Sequence, residues 1–175
     1  MANKEHLILT AIGPDQVGLV EKISAFISRH GCNIEDSKMA AFCGEVAIII
    51  LISGAPEHLA GISHDRREME SQTNLAVSLK TPSTAKSAES FLRYRLIASC
   101  MDHPGVVYRI SGVLSQLGVN IESMETKTYS APVSGTPLFQ LEAHVAVPGH
   151  ANIGKLREHL AELEKEENID IEFTG

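Results

Sequence analysis

Asp15-Gln16-Val17-Gly18-Leu19-Val20 returns 87 residues later as Asp102-His103-Pro104-Gly105-Val106-Val107. The same offset carries Ile23 and Ser24 onto Ile110 and Ser111, Ser28 onto Ser115, and Gly31 onto Gly118. It then carries Asn33-Ile34-Glu35 onto Asn120-Ile121-Glu122. Ten of the 23 positions from 15 to 37 are identical without a gap. Identity at that density marks a duplicated unit. The 175 residues therefore divide into a first domain over 1–81, a linker over 82–90 and a second domain over 91–175. The units join near Thr81-Pro-Ser-Thr-Ala-Lys-Ser87, a small polar stretch.

Each unit repeats one order of elements. Leu7 to Ile12 and Leu92 to Ala98 read as strands by apolar content and length. After the turn, Leu19, Val20, Ile23, Phe26 and Ile27 recur at helical spacing, as do Val106, Val107, Ile110, Val113, Leu114 and Leu117. Gly31 and Gly118 stand where a helix is stopped by a left-handed residue. Two strands follow in each unit: Asn33 to Phe42 with Glu45 to Ser53, and Asn120 to Tyr129 with Leu138 to Val147. A second helix is expected over Glu57 to Ser71, with a counterpart carrying Ile153, Leu156, Leu160 and Leu163. Leu75 to Leu79 and Ile169 to Phe173 close the units. The fold class is α+β: two ferredoxin-like βαββαβ units, each a four-stranded antiparallel sheet with both helices on one face.

The two sheets differ in patterning. Phe139, Leu141, Ala143, Val145 and Val147 alternate with Gln140, Glu142 and His144, which gives one buried and one wet face. Val46-Ala-Ile-Ile-Ile-Leu-Ile52 has no polar position, so both of its faces are expected to be covered, the outer one by another sheet or subunit.

Composition narrows the function. Apolar residues are 43% and charged residues 21%, an ordinary globular balance. The net charge of −7 gives no general attraction for phosphate backbones or anionic lipid, so direct nucleic-acid and membrane binding are not expected. The first apolar run is too short for a signal segment, and Val46 to Ile52 is far below a membrane span. Cys32, Cys43 and Cys100 form no Cys-x-x-Cys pair and read as reduced thiols of a cytoplasmic protein. His58 and His64 lie six apart, which is no common zinc spacing, so neither a metal nor a cofactor is expected. Ser24, Ser28, Ser111 and Ser115 are mid-helix without a consistently placed histidine, and no phosphate loop is present. Catalysis is not expected.

The repeated turn carries the chemistry. Gly18 and Gly105 sit at helix starts, where free N–H groups and the helix dipole favour an anion. Asp15 and Asp102 lie close enough to accept hydrogen bonds from an ammonium group, and the two features together suit a free amino acid. The alternative is that both aspartates simply cap their helices. Asn33 and Asn120 follow the helix-ending glycine by two residues, and serve either the turn's backbone or a ligand reached from a neighbouring unit. Glu35 and Glu122, one per unit, read as solvent-facing strand residues. Gly149-His-Ala-Asn152 reads as the opening of a helix capped by Asn152.

With these elements in place the chain resembles a tandem ACT-domain protein over nearly its whole length. Gly13-Pro-Asp-Gln-Val-Gly-Leu-Val20, Gly31-Cys-Asn-Ile-Glu-Asp-Ser-Lys38 and Leu51-Ile-Ser-Gly54 are similar to the glycine cleavage system transcriptional repressor family. The resemblance places the ligand turn on Asp102, His103, Pro104, Gly105 and Val106, with Asn120 and Ile121 on the next strand. In the first unit it places it on Asp15, Gln16, Val17, Gly18 and Leu19, with Asn33 and Ile34. Val17 stands where the pattern has proline, which loosens the first turn. The resemblance implies a non-catalytic, amino-acid-binding regulator, a homodimer that acts through a partner transcription factor. The other readings are a detached regulatory subunit of an amino-acid-metabolising enzyme and a purely structural pairing module.

Overall fold

A computed structural model describes residues 4–83 and 90–175. The chain divides into two compact units, Met1–Ala85 and Lys86–Gly175. Residues 84–89 of the expected linker lie outside the described residues.

The first unit runs β1 (Glu5–Pro14), α1 (Leu19–Arg29), β2 (Asn33–Phe42), β3 (Glu45–Gly54), α2 (Pro56–His64), α3 (Arg66–Thr73) and β4 (Ala76–Lys80). The second runs β5 (Phe91–Met101), α4 (Val106–Gln116), β6 (Asn120–Ser130), β7 (Pro137–Pro148), α5 (Ile153–Glu167) and β8 (Asp170–Thr174). The sheets are ordered β2-β3-β1-β4 and β6-β7-β5-β8, all neighbours antiparallel. The expected βαββαβ topology is therefore present twice.

Alternation decides which face each sheet buries. Leu7, Leu9 and Ala11 of β1 and Val46, Ile48, Ile50 and Ile52 of β3 point to one side. There they form a single core with Leu19, Ile23, Phe26 and Ile27 of α1, Leu59 and Ile62 of α2, and Met69 of α3. The second core is built the same way, from Leu96, Ala98, Leu141, Ala143, Val145 and Val147 with Ile110, Leu114, Leu156, Leu160 and Leu163. Asn152 caps α5 as expected, its side chain accepting from Lys155 N–H at 3.1 Å.

The helix expected over Glu57 to Ser71 is instead two helices, broken at Asp65. An unbroken helix through Leu59, Ile62 and Met69 would carry Arg66 on the same stripe. The break turns Arg66 to solvent, within 3.8 Å of Glu70. His30 holds it, with Nε2 3.0 Å from Asp65 Oδ2 and Nδ1 2.9 Å from the Phe26 carbonyl.

The cover expected over the outer face of Val46 to Ile52 does not come from the first unit's own helices, which pack on the opposite face. Ile49 is 46% exposed and Ile12, diagonal to it on β1, is 58% exposed. In the second unit the wet face is as expected: Arg95 Nε donates to Glu142 Oε1 at 2.7 Å and Arg93 Nε to Glu122 Oε2 at 3.2 Å.

Candidate functional site

Both turns connect the end of a central strand to a glycine that starts a helix. Gly18 has φ 89° and Gly105 φ 102°, the left-handed region that disfavours a side chain. A Cβ at either position would meet nothing within 4 Å, so backbone conformation, not crowding, requires glycine there. Each glycine carbonyl accepts the first helical bond, from Lys22 N–H at 3.0 Å and from Arg109 N–H at 2.9 Å.

Among the described residues no side-chain hydrogen bond caps either helix. The alternative role for Asp15 and Asp102, helix capping, is thus not the one their carboxylates play. What ties them down is the backbone: Asp15 N–H donates to the Gly44 carbonyl at 2.9 Å and Asp102 N–H to the Pro137 carbonyl at 3.0 Å. Both side chains are left exposed beside a helix start whose first N–H groups lack intrahelical partners. The Asp102 carboxylate is close enough to add to the burial that raises the Cys100 thiol pKa.

The remaining turn residues divide by role. Leu19 and Val106 are buried core side chains, so only their N–H groups face the turn. Val17 is fully exposed. Gln16 Nε2 donates to the Thr73 carbonyl at 2.5 Å, which fastens the first turn to the end of α3. His103 makes only a local contact, 3.3 Å to the Pro104 carbonyl, and Pro104 is exposed.

The strand-start residues lie elsewhere. Asn33 is opposite Ser53, which pairs with His6 near the start of β1, whereas Asp15 follows the end of β1. At ~3.3 Å per strand residue, the nine residues from the level of His6 to Asp15 put the two places roughly 30 Å apart within the unit. Asn120, opposite Ala146 and so level with Arg93, is separated from Asp102 in the same way. No single amino acid spans that distance. Asn120 and Ile121 border an open groove of about 620 Å³ beside α4, whose walls include Ser111, Gly112, Ser115 and Gly118.

Glu35 and Glu122 are more engaged than solvent-facing strand residues. Each sits at a β-bulge, between Ile34 and Asp36 and between Ile121 and Ser123. Glu35 accepts from Lys4 Nζ and from Ser53 Oγ, both at 2.5 Å. The Lys4 bond first, then the Ser53 bond and the Lys4 charge, hold its carboxyl at about 2 instead of the ordinary 4.5. A carboxyl lowered on folding contributes stability above its unfolded value and loses it as pH falls. Wild-type stability is expected to decline between pH 4.5 and about 2 in part through this group. Acid unfolding of Glu35→Gln should show a shallower decline over that window; an identical slope would contradict the assignment.

One feature shared by both units went unread in the sequence. Asn74 and Asn168 end α3 and α5 in the left-handed conformation. Four residues earlier, Glu70 Oε1 accepts from Val77 N–H at 3.1 Å and Glu164 Oε1 from Ile171 N–H at 2.7 Å. Helix end and edge strand are thereby latched. The signal was Glu-x-x-x-Asn in both units, at an offset of 94 where the turns repeat at 87. The β6–β7 connection is the longer hairpin, and it shifts the register of everything after it.

Fold and turns together define the class. An ACT-domain model matches residues 5–80 and a second ACT-domain model matches residues 94–128. The chain belongs to the ACT-domain family and carries two such domains in tandem, the arrangement of a regulatory protein. It is 24% identical over 151 residues to the glycine cleavage system transcriptional repressor of Escherichia coli K12, covering 86% of this chain and 77% of that protein. A crystal structure of an unknown protein from Galdieria sulphuraria is 27% identical, covers 98% of both chains and superposes with a TM-score of 0.82. A crystal structure assigned as a glycine cleavage system transcriptional repressor shares the fold at a TM-score of 0.68 and 21% identity, covering 99% of this chain and 98% of that one. Among the described residues no helix is long and apolar enough to cross a membrane.

Proposed function

We propose that this protein is a non-catalytic amino-acid sensor of the cytoplasm, in two domains divided within residues 82–90, that controls a partner protein. The observation that carries the reading is the pair of uncapped, glycine-started helices, each with an exposed aspartate at its mouth. The N–H groups after Gly105 take the ligand's carboxylate and Asp102 takes its ammonium group. Asp15 and Gly18 do the same in the first unit, where Gln16 is already engaged with α3. Asn33, Ile34, Asn120 and Ile121 form a separate contact at the opposite end of each unit.

The similarity to a transcriptional repressor favours a transcription factor as the partner. The charge of −7 favours action without DNA contact. Ligand binding regulates by stabilising one of two packings, so its effect is bounded by its differential affinity for them. The functional species is a homodimer. Calorimetry of the full chain against a panel of amino acids, glycine and serine first, is expected to show saturable binding that Asp102→Ala weakens about tenfold or more. No heat with any amino acid would leave a pairing module without a ligand.

A further inference from the structure

The two units part company in their second helical layer. Glu70 and Asn74 recur as Glu164 and Asn168, and the same offset of 94 sets Ile62, Arg66 and Met69 on Leu156, Leu160 and Leu163. In the second unit that stripe is apolar and buried along one unbroken helix, α5. In the first, Arg66 takes the place of the buried Leu160 and Arg67 that of Ala161, and the helix breaks just before them at Asp65. The fold does not require this arginine pair, since the second unit closes the same topology with leucine and alanine. Such a departure from a working core pattern marks a functional position.

What the break assembles is a cleft. Ser63 and His64 at the end of α2, Arg66 and Arg67 at the start of α3, and Ser78 and Leu79 of β4 line an open cleft of about 470 Å³. None of the six is acidic, in a chain with 22 acidic residues against 15 lysines and arginines. The corresponding residues of the second unit are Arg157, Glu158, Leu160, Ala161, Glu172 and Phe173, two of them carboxylates. The cleft's chemistry therefore belongs to the first unit alone.

Its donors have few partners. Arg67 is in no ion pair among the described residues. Arg66 Nε lies 3.8 Å from Glu70 Oε1, too far for a hydrogen bond, and that oxygen accepts from Val77 N–H instead. Because Val77 N–H points away from β1, Leu79, two residues on, turns its own N–H to the same open edge of the sheet. Asp65 stands where it could cap α3, but its carboxylate is engaged by His30, and α3 has no side-chain cap hydrogen bond among the described residues. Two guanidinium forks, a strand N–H and an uncapped helix start thus border one cleft. A carboxylate satisfies a single fork, whereas a phosphate dianion carries charge for both arginines and oxygens to spare for the N–H groups.

We propose that the cleft between the α2–α3 break and the β4 edge binds a phosphate dianion, free or carried by a small metabolite, with Arg66 and Arg67 as its anchors. Ser78 is paired with Thr10 in the middle of β1, so the site is separate from the turn that follows the strand's end and independent of amino-acid binding.

Calorimetry of the full chain against inorganic phosphate, ethyl phosphate and diethyl phosphate at constant ionic strength tests it. Saturable binding of the first two is expected, at least about tenfold tighter than that of the singly charged diester. Ethyl phosphate as the tighter of the two assigns a phosphorylated metabolite, and inorganic phosphate as the tighter assigns the free ion. Arg66→Gln and Arg67→Gln are each expected to weaken binding about tenfold or more with unchanged circular dichroism, and Arg67→Lys to weaken it less. Arg157→Gln, at the corresponding place in the second unit, leaves it unchanged. No saturable binding of either dianion, a diester bound equally well, or binding that survives Arg66→Gln/Arg67→Gln would overturn the site.

Discussion

Leu9→Ala is expected to destabilise the first unit by about 2–5 kcal/mol, a large share of the ~5–15 kcal/mol that holds a small domain together. Leu9 is fully buried at the centre of β1, between β3 and β4 and beneath the helices. Truncating it removes the transfer energy of the lost carbons and leaves a cavity that a sheet paired on both sides cannot close. Leu96 is its counterpart 87 residues on, also fully buried, and the two cores share no residue. The chain has no tryptophan, and its three tyrosines, Tyr94, Tyr108 and Tyr129, all lie in the second unit. Tyrosine fluorescence therefore reports on the second core alone, while circular dichroism reports on both. In urea, Leu9→Ala should move the dichroism transition and leave the tyrosine transition in place, and Leu96→Ala should move the tyrosine transition. A tyrosine midpoint that falls equally with Leu9→Ala would contradict two separate cores.

The second large effect is at the turn. Gly105→Val should destabilise the second unit by about 1–3 kcal/mol and abolish binding at that turn. Its φ of 102° is open to glycine and strained for a β-branched residue. Because a Cβ there meets no neighbour, the penalty is conformational and Gly105→Ala should show a smaller one. The readout is the tyrosine transition in urea together with calorimetry against glycine and serine. A valine variant as stable as wild type would mean that the left-handed conformation is not required for the turn.

The fold was legible because duplication repeats its punctuation. Asp-x-x-Gly before the first helix and Gly-x-Asn after it bound that helix in both units, and the strands follow by apolar content. The Asp65 break was not legible, since Leu59, Ile62 and Met69 look like one stripe until Arg66 has to be placed. The bulges at Glu35 and Glu122 were hidden for a similar reason: a strand pattern does not show where pairing slips by one residue. Val46 to Ile52 is uniformly apolar, and apolarity does not say what covers a face.

Of the candidate site, the turn geometry was visible in the glycine and aspartate spacing. The distance from Asp15 to Asn33 was not. It follows from β1 and β2 running parallel on either side of β3, which places the turn and the strand start at opposite ends. The engagement of Gln16 with Thr73 was equally out of reach, because it joins segments 57 residues apart.

Amide-resolved NMR of the full chain titrated with glycine and with serine tests the central claim most directly, that the uncapped turn is where an amino acid binds. Saturable shifts at the amides of Gly105, Val106 and Val107, lost in Asp102→Ala while the rest of the spectrum is kept, are the expected result. Saturation that shifts only amides away from both turns, or no shift with either amino acid, would contradict it.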